Sequence, residues 1–375
     1  MTTTFQGLQP TVSLGSNVNH QPPVELCQRY REILDCKRFS WTSHFDLLRQ
    51  LGKGGQGVVY LSEQRGAEGF KLPIALKVFS PEPFEDVRGY NVAMSRMAQV
   101  AARVAQIQHD NLLYVHNLYD RNHIRLMVME WIDGYDLRVL LSNERLKQIR
   151  SRVSNNRWEY INRVIVTAGE VQPRIKPGVA VAIVRDTLAA LAALHRQKII
   201  HGDIKPSNIM LKRTGNAKII DIGSAFEADD PPVSRSCTPR YAAPELLENQ
   251  PSTPRSDLAS LGYVLVELLS GKPVFGGITS CHDLLEAKRF IAQRLEAILP
   301  DEVTCNDLLM NFIQRLIAPD ESRRFSSAEV ADYFQDGASA FHRQLVKSDL
   351  ACEYESEIRL WMEVVHDLDD AEGRR

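Results

Sequence analysis

The chain has 375 residues, with 45 basic and 47 acidic side chains, a formal net charge of -2, and hydrophobic and charged fractions of 44% and 25%. These are ordinary globular values for one large domain or two modest ones, and the charge balance argues against a polyanion-binding surface, so neither nucleic acid nor an anionic membrane is an expected partner. The six cysteines (Cys27, Cys36, Cys237, Cys281, Cys305, Cys352) form no Cys-x-x-Cys pair, residues 1–19 lack a signal-peptide core, and no apolar run reads as a bilayer span. Reduced thiols and a cytoplasmic location are the expectation.

Residues 1–23 are rich in Thr, Ser, Gln, Asn and Pro and read as a disordered tail. Residues 24–44 form a helical extension, with Leu26, Tyr30, Ile33 and Leu34 on one packing face. Phe45 to Gln64 reads as two strands around a glycine turn and Ile74 to Phe79 as a third. An alanine-rich helix follows over Met94 to Gln108, then two strands, Leu113 to Leu118 and Ile124 to Met129, joined at Asn122-His123. After Trp131 the pattern turns helical, with amphipathic runs over Val179 to His195, Leu258 to Leu269 and Leu284 to Leu299. Strands first and helices second predict an α+β chain of two lobes, with a cleft between them.

The stretch from Ser142 to Lys176 is polar and basic; it reads as a solvated mobile loop or as a dock for an acidic partner. Leu350, Tyr354, Ile358, Trp361 and Val365 share one helical face near the end, before an acidic, frayed tail over Asp367 to Arg375.

Three stretches carry chemistry. Gly52-Lys53-Gly54-Gly55-Gln56-Gly57-Val58-Val59 fits G-x-G-x-x-G-x-V, in which backbone without Cβ atoms can close over phosphates and aim its N–H groups at them. Alone, those letters also fit a ligand-free hairpin, while the strand-like Val58 to Leu61 argues against a dinucleotide fold. Lys77 stands in the apolar strand Ile74-Ala75-Leu76-Lys77-Val78, where either an anion such as ATP phosphate meets it or an edge strand lets it snorkel. His201-Gly202-Asp203-Ile204-Lys205-Pro206-Ser207-Asn208 leaves an apolar strand, and Asp221 follows the apolar Ile219-Ile220. Asp203 can take a hydroxyl proton, Lys205 can neutralise a migrating phosphoryl group, and Asn208 and Asp221 are hard oxygen ligands suited to Mg2+.

On these motifs the chain resembles the eukaryotic-type serine/threonine protein kinases, from about Phe45 to about Leu345. The resemblance includes Thr238 to Glu245, similar to T-x-x-Y-x-A-P-E, Asp257 to Gly262 in place of D-x-W-S-L-G, and Arg324. It implies a small β-rich N-lobe over 45–130, a hinge over 130–136 and a helical C-lobe to 345, with 346–375 as a C-terminal helix and acidic tail. It implies ATP and Mg2+ as cofactors and Ser/Thr hydroxyls of proteins as acceptors. Gly52, Lys53, Gly54 and Gly57 would form the phosphate loop and Lys77 the phosphate anchor. Asp203 would be the base, Lys205 the charge stabiliser, Asn208 and Asp221 the metal ligands, and Thr238 a hydroxyl that contacts Asp203 and Lys205. Val59, Ala75 and Met210 would sandwich adenine, Met129 would be the gatekeeper, Glu130 and Ile132 the backbone contacts to adenine, and Asp136 the group near the ribose. Glu245 and Arg324 would form a buried ion pair.

Three departures stand out. Gly202 replaces the Arg of H-R-D and Ile222 the Phe of D-F-G. The Glu expected to pair with Lys77 falls at Val100, next to Gln99, with no acidic residue between Asp86 and Asp110. Lys77 is therefore held less firmly, by Gln99, or by Glu82, Glu85 or Asp86. The rival readings are an ATP-binding scaffold with little turnover and, more weakly, a small-molecule kinase.

Overall fold

The computed structural model of the protein describes residues 12–14, 22–35, 38–39, 44–232, 235–347 and 354–371. The chain divides into two compact units. One takes in Met1–Gln108, Leu113–Ile132 and Ile222–Thr238, and the other His109–Leu112, Asp133–Asp221 and Pro239–Arg375.

The first unit opens with β1 (Val12–Leu14), inside the stretch expected to be a disordered tail. Backbone pairing gives these three residues their order, as described below; the others of residues 1–21 lie outside the described residues. Helix α1 (Val24–Asp35) buries Leu26, Cys27, Tyr30 and Ile33 and packs on the sheet at β7 (Ile124–Glu130). That sheet is antiparallel with six strands. Its remaining members are β2 (Arg38–Phe39), β3 (His44–Gly54), β4 (Gly57–Arg65), β5 (Lys71–Phe79) and β6 (Val115–Arg121), in the order β2-β3-β4-β5-β7-β6. The turn joining β6 to β7 puts Asn122 and His123 at φ 51° and 68°, the left-handed pair that a tight hairpin requires. Helix α2 (Val87–Val104) starts seven residues earlier than its apolar pattern predicts, because the Asp86 carboxylate caps it by accepting from Gly89 N at 2.6 Å.

The second unit begins with β8 (Gly134–Asp136) and α3 (Leu137–Leu140), whose N-cap is Asp136. The basic stretch that follows is folded. It forms α4 (Asn143–Arg152), α5 (Asn155–Val164) and the small hairpin β9 (Val166–Thr167) and β10 (Arg174–Ile175). Ser142 and Ser154 cap the two helices, and Leu146, Ile149 and Ile161 are buried. The density of cations masked this sparse apolar stripe, and most of those cations have partners within the chain. Arg145 lies 3.2 Å from Asp369, and Arg174 and Lys176 lie 3.3 and 2.9 Å from Glu302.

Helix α6 (Pro177–Arg196) is long and apolar enough to cross a membrane by composition, contrary to the sequence expectation, yet 72% of its apolar window is buried as the core of this unit. Strands β11 (Ile199–Ile200), β12 (Ile209–Lys212) and β13 (Ala217–Ile219) follow, with β12 between β8 and β13. The chain then returns to the first unit with β14 (Phe226–Glu227) and β15 (Arg235–Cys237). There β15 pairs antiparallel with β1, Val12 opposite Cys237 and Leu14 opposite Arg235. Arg103 and Arg96 of α2 reach Glu227 and Asp230 at 2.6 and 3.5 Å.

The rest of the second unit is helical: α7 (Pro244–Leu247), α8 (Pro254–Ser270), α9 (Cys281–Arg289), α10 (Ile291–Ile298), α11 (Asp301–Thr304), α12 (Asp307–Leu316), α13 (Ala328–Tyr333), α14 (Ala338–Lys347) and α15 (Tyr354–Ala371). The single helix expected over Leu284 to Leu299 is two, broken at Phe290, whose φ and ψ of -104° and 7° leave the helical region.

Helix α15 packs on α4, α6 and β12 and buries Ile358, Trp361, Met362, Val365 and Leu368; Leu350 lies outside the described residues. The expected fray from Asp367 does not occur before Ala371, because Asp369 is buried and bonded by Tyr135 Oη and Arg145. Trp361 is 2% exposed. Trp361→Ala is expected to destabilise the protein by about 3–5 kcal/mol, read as a lower urea midpoint at unchanged slope.

Candidate active site

In the first unit, β3 and β4 are joined by Gly55-Gln56, with Gly54 opposite Gly57. Gly57 is fixed by the fold: its φ is +142° and a Cβ there would lie 2.0 Å from Val78 O. At Gly52 and Gly54 a Cβ would meet nothing within 4 Å. Packing therefore does not explain those two glycines, and their bare backbone stays open to close approach from outside. Lys53 is exposed beside them.

Lys77 lies on β5, flanked by β4 and β7, so it is a central-strand lysine and not a snorkelling edge residue. It is 5% exposed. Cross-strand pairing sets Val59 opposite Lys77 and Ala75 opposite Met129. Because alternate residues share a face, Val59, Ala75, Lys77 and Met129 lie on the same side of the sheet. An apolar surface thus ends at one cation. Glu130 closes β7 with its carboxylate accepting from Tyr114 N at 2.6 Å and its own N–H donating to Tyr114 O, and Ile132 ends this part of the unit half-buried.

The partner expected for Lys77 on α2 is absent. Val100 is buried at 3% exposure, Gln99 is exposed, and the Asp86 carboxylate caps the helix. Instead Lys77 Nζ donates to Gln56 Oε1 at 3.0 Å, and Gln56 Nε2 donates to Ser224 Oγ at 3.0 Å. Sequence spacing gave no sign of Gln56, which stands 21 residues before Lys77 and meets it only through β-pairing.

In the second unit the loop after β11 is anchored by Asp257 of α8. The Asp257 carboxylate accepts from His201 N, Gly202 N and His195 Nε2, each at 2.9 Å. Burial works against its ionisation, but the hydrogen bonds and charge of the histidines prevail and hold the carboxyl below the usual range. Gly202 has φ +76°, a left-handed conformation costly for a residue with a Cβ. His195 is a second residue that linear reasoning missed, since its role appears only when α6 meets α8.

Beyond this anchor the polar groups converge. Lys205 Nζ donates to Asp203 Oδ2 at 2.6 Å, and Asn208 Nδ2 donates to Asp203 O at 2.8 Å. Asp203 and Asn208 are each 6% exposed, and the 3-10 turn Pro206–Asn208 fixes their spacing. Ile220 N donates to Asn208 O at 3.0 Å, which places the half-buried Asp221 directly after a residue tied to Asn208. The amide nitrogen of Asn208 is committed to Asp203, which turns its side-chain oxygen outward as an acceptor, and Asp221 supplies a carboxylate in the same stretch. Two hard oxygen donors suit Mg2+ completed by waters and phosphate oxygens. Among the described residues no cluster of three or more His, Cys, Asp or Glu could hold a metal. Asp136 and Met210 are cross-strand partners in β8 and β12. Thr238, buried, ends the first unit's return segment.

Glu245 and Arg324 form the expected buried pair, bidentate with both contacts at 2.7 Å, and Ser256 Oγ donates to the same carboxylate.

The family model for the protein kinase domain matches residues 45–334. The chain belongs to the protein kinase domain family. Its curated relatives include the serine/threonine-protein kinase PkaA of Streptomyces coelicolor, 28% identical over 77% of this chain and 49% of that one. PrkC of Bacillus subtilis is 27% identical over 78% of this chain and 40% of its own length. PknD of Mycobacterium tuberculosis is 31% identical over 62% and 30%. The chain thus spans about half or less of these relatives. The crystal structure of the Mycobacterium tuberculosis PknI kinase domain has the same fold, with a TM-score of 0.54 at 21% identity, covering 82% of this chain and 98% of that one. The kinase domain here is accordingly α+β, with a β-rich unit and a helical one.

Proposed function

We propose that this kinase domain transfers the γ-phosphoryl group of ATP, with Mg2+, to serine or threonine hydroxyls of protein substrates. The observation that carries the reading is the Asp203–Lys205–Asn208 cluster, which sets a carboxylate, a cation and an amide oxygen within one short loop beside Asp221. Asp203 accepts or orients the proton of the acceptor hydroxyl. Lys205 offsets charge on the transferring group. Asn208 and Asp221 would hold Mg2+, which when bound neutralises phosphate charge. Lys77 takes the α/β-phosphates, and Gly52, Lys53, Gly54 and Gly57 cover them. Val59, Ala75, Met129 and Met210 hold adenine, Glu130 and Ile132 give it backbone contacts, and Asp136 takes the ribose. Lys205 and Thr238 resemble the serine/threonine-type signature, which supports an acceptor of that class. A cytoplasmic location goes with the balanced charge and scattered cysteines.

The test is transfer of labelled phosphate from Mg-ATP to a generic basic protein or to the domain itself. Transfer is the expected result. A melting temperature raised by Mg-ATP, with no transfer at high enzyme concentration, would instead establish a nucleotide-binding scaffold.

Gly202 stands where the family pattern has the arginine that meets a phosphorylated loop, and the segment after Asp221 already has β1, Arg96 and Arg103 as partners. Phosphatase treatment is therefore expected to change the transfer rate by less than about twofold, well under the roughly 10-fold that 1.4 kcal/mol would give. Near-complete loss of activity would refute it.

A further inference from the structure

We propose that Gln56 is the positioning residue of Lys77, performing from within the glycine hairpin the task assigned in the family pattern to a helical carboxylate. The inference rests on Lys77 being the phosphate anchor. Four observations carry it.

The helix offers no alternative at the expected place, since Val100 is buried and Gln99 points to solvent. The backbone at Gln56 is held against β5 on both sides. Its carbonyl accepts from Ser80 N at 2.9 Å, and the next residue, Gly57, touches Val78 O so closely that no Cβ fits. The side chain starts three residues from Lys77 across a paired strand and has little freedom to leave. Its amide orientation is set as well. An amide nitrogen only donates, and it donates to Ser224 Oγ, so the oxygen must be the atom that faces Lys77 Nζ.

The fourth observation is electrostatic. A neutral amide takes up one of the three ammonium protons and fixes the direction of the side chain without cancelling its charge. A carboxylate at the same place would pair more strongly with Lys77, but it would set an anion on the very loop that covers the phosphates. The amide therefore joins three parts that must act on one triphosphate: the glycine hairpin, Lys77, and Ser224 just beyond Asp221-Ile222-Gly223.

The experiment compares nucleotide binding by calorimetry and transfer kinetics in the wild type, Gln56→Ala, Gln56→Glu and Ser224→Ala. Gln56→Ala is expected to raise KM for ATP and Kd for ADP about tenfold, the loss of one charge-assisted hydrogen bond, while Kd for adenosine stays unchanged. Gln56→Glu is expected to raise the melting temperature of the free protein yet weaken ATP binding at least as much as Gln56→Ala. Ser224→Ala, which frees the amide to flip, should shift ATP affinity in the same direction by less. In a Lys77→Met background, Gln56→Ala should have no further effect on ADP binding.

Equal losses for adenosine and ADP would make Gln56 merely structural and overturn the proposal. So would an effect of Gln56→Ala that persists without Lys77, or an unchanged KM for ATP in an active enzyme. A wild type that binds no Mg-ATP would overturn the kinase reading along with it, which distinguishes the two failures.

Discussion

Asp203→Asn is expected to reduce phosphoryl transfer by roughly 10²–10⁴-fold, the usual worth of a positioned acid or base, while Mg-ATP still raises the melting temperature. The substitution keeps the size and the hydrogen-bonding outline of the side chain. Its main-chain carbonyl still accepts from Asn208, and the loop stays tethered through His201 and Gly202 to Asp257. What is lost is the charge that draws Lys205 Nζ to 2.6 Å and that would receive a proton. Single-turnover transfer measured beside thermal shift separates chemistry from binding. Equal loss of both would mean that Asp203 supports the fold of the loop and not the reaction.

A large stability effect is also expected at Glu245. Removing either partner of a buried, bidentate pair strands the other charge away from water, at a cost of about 3–5 kcal/mol. Glu245→Ala should therefore lower the free energy of unfolding by that amount, read as a lower denaturant midpoint at unchanged slope, and Arg324→Leu should do the same. Burial alone raises the Glu245 carboxyl, but the Arg324 guanidinium and Ser256 hydroxyl more than offset it and leave the folded carboxyl below its ordinary range. The sign follows. A carboxyl depressed on folding contributes its full stability above the unfolded value near pH 4.3 and loses it as pH falls through the folded value. Part of the acid-unfolding limb should thus disappear in Glu245→Gln, visible as a flatter dependence of the urea midpoint on pH below about 5. An acid limb identical to that of the wild type would show that other carboxylates carry it.

Most of the sheet and the convergent loop were legible because each depends on short-range pattern. The Asn122-His123 turn, the apolar strand around Lys77 and the spacing from Asp203 to Asn208 are local facts, and the structure keeps them local. What escaped depends on residues far apart in the chain. Gln56 meets Lys77 through strand register, and His195 meets Asp257 through helix packing. The basic insert misled for a different reason. Counting Arg and Lys from Ser142 to Lys176 measures charge, whereas its folding rests on Leu146, Ile149 and Ile161 and on acidic partners such as Asp369 and Glu302. A composition has no way to reveal that its counterions lie 126 and 224 residues downstream.

Helix α15 also changes where this kinase domain ends. The family match stops at residue 334, yet Gly178 and Gly215 are spaces shaped for what comes later. A Cβ at Gly178 would strike the Tyr354 ring at 2.2 Å, and one at Gly215 would meet Glu355 O at 2.1 Å. A polypeptide cut at the family boundary would uncover Tyr135 on β8, one residue from Asp136, together with the apolar seat of Trp361. An expression product that keeps this surface covered extends at least to Asp369, and limited proteolysis should leave a resistant core that still contains α15.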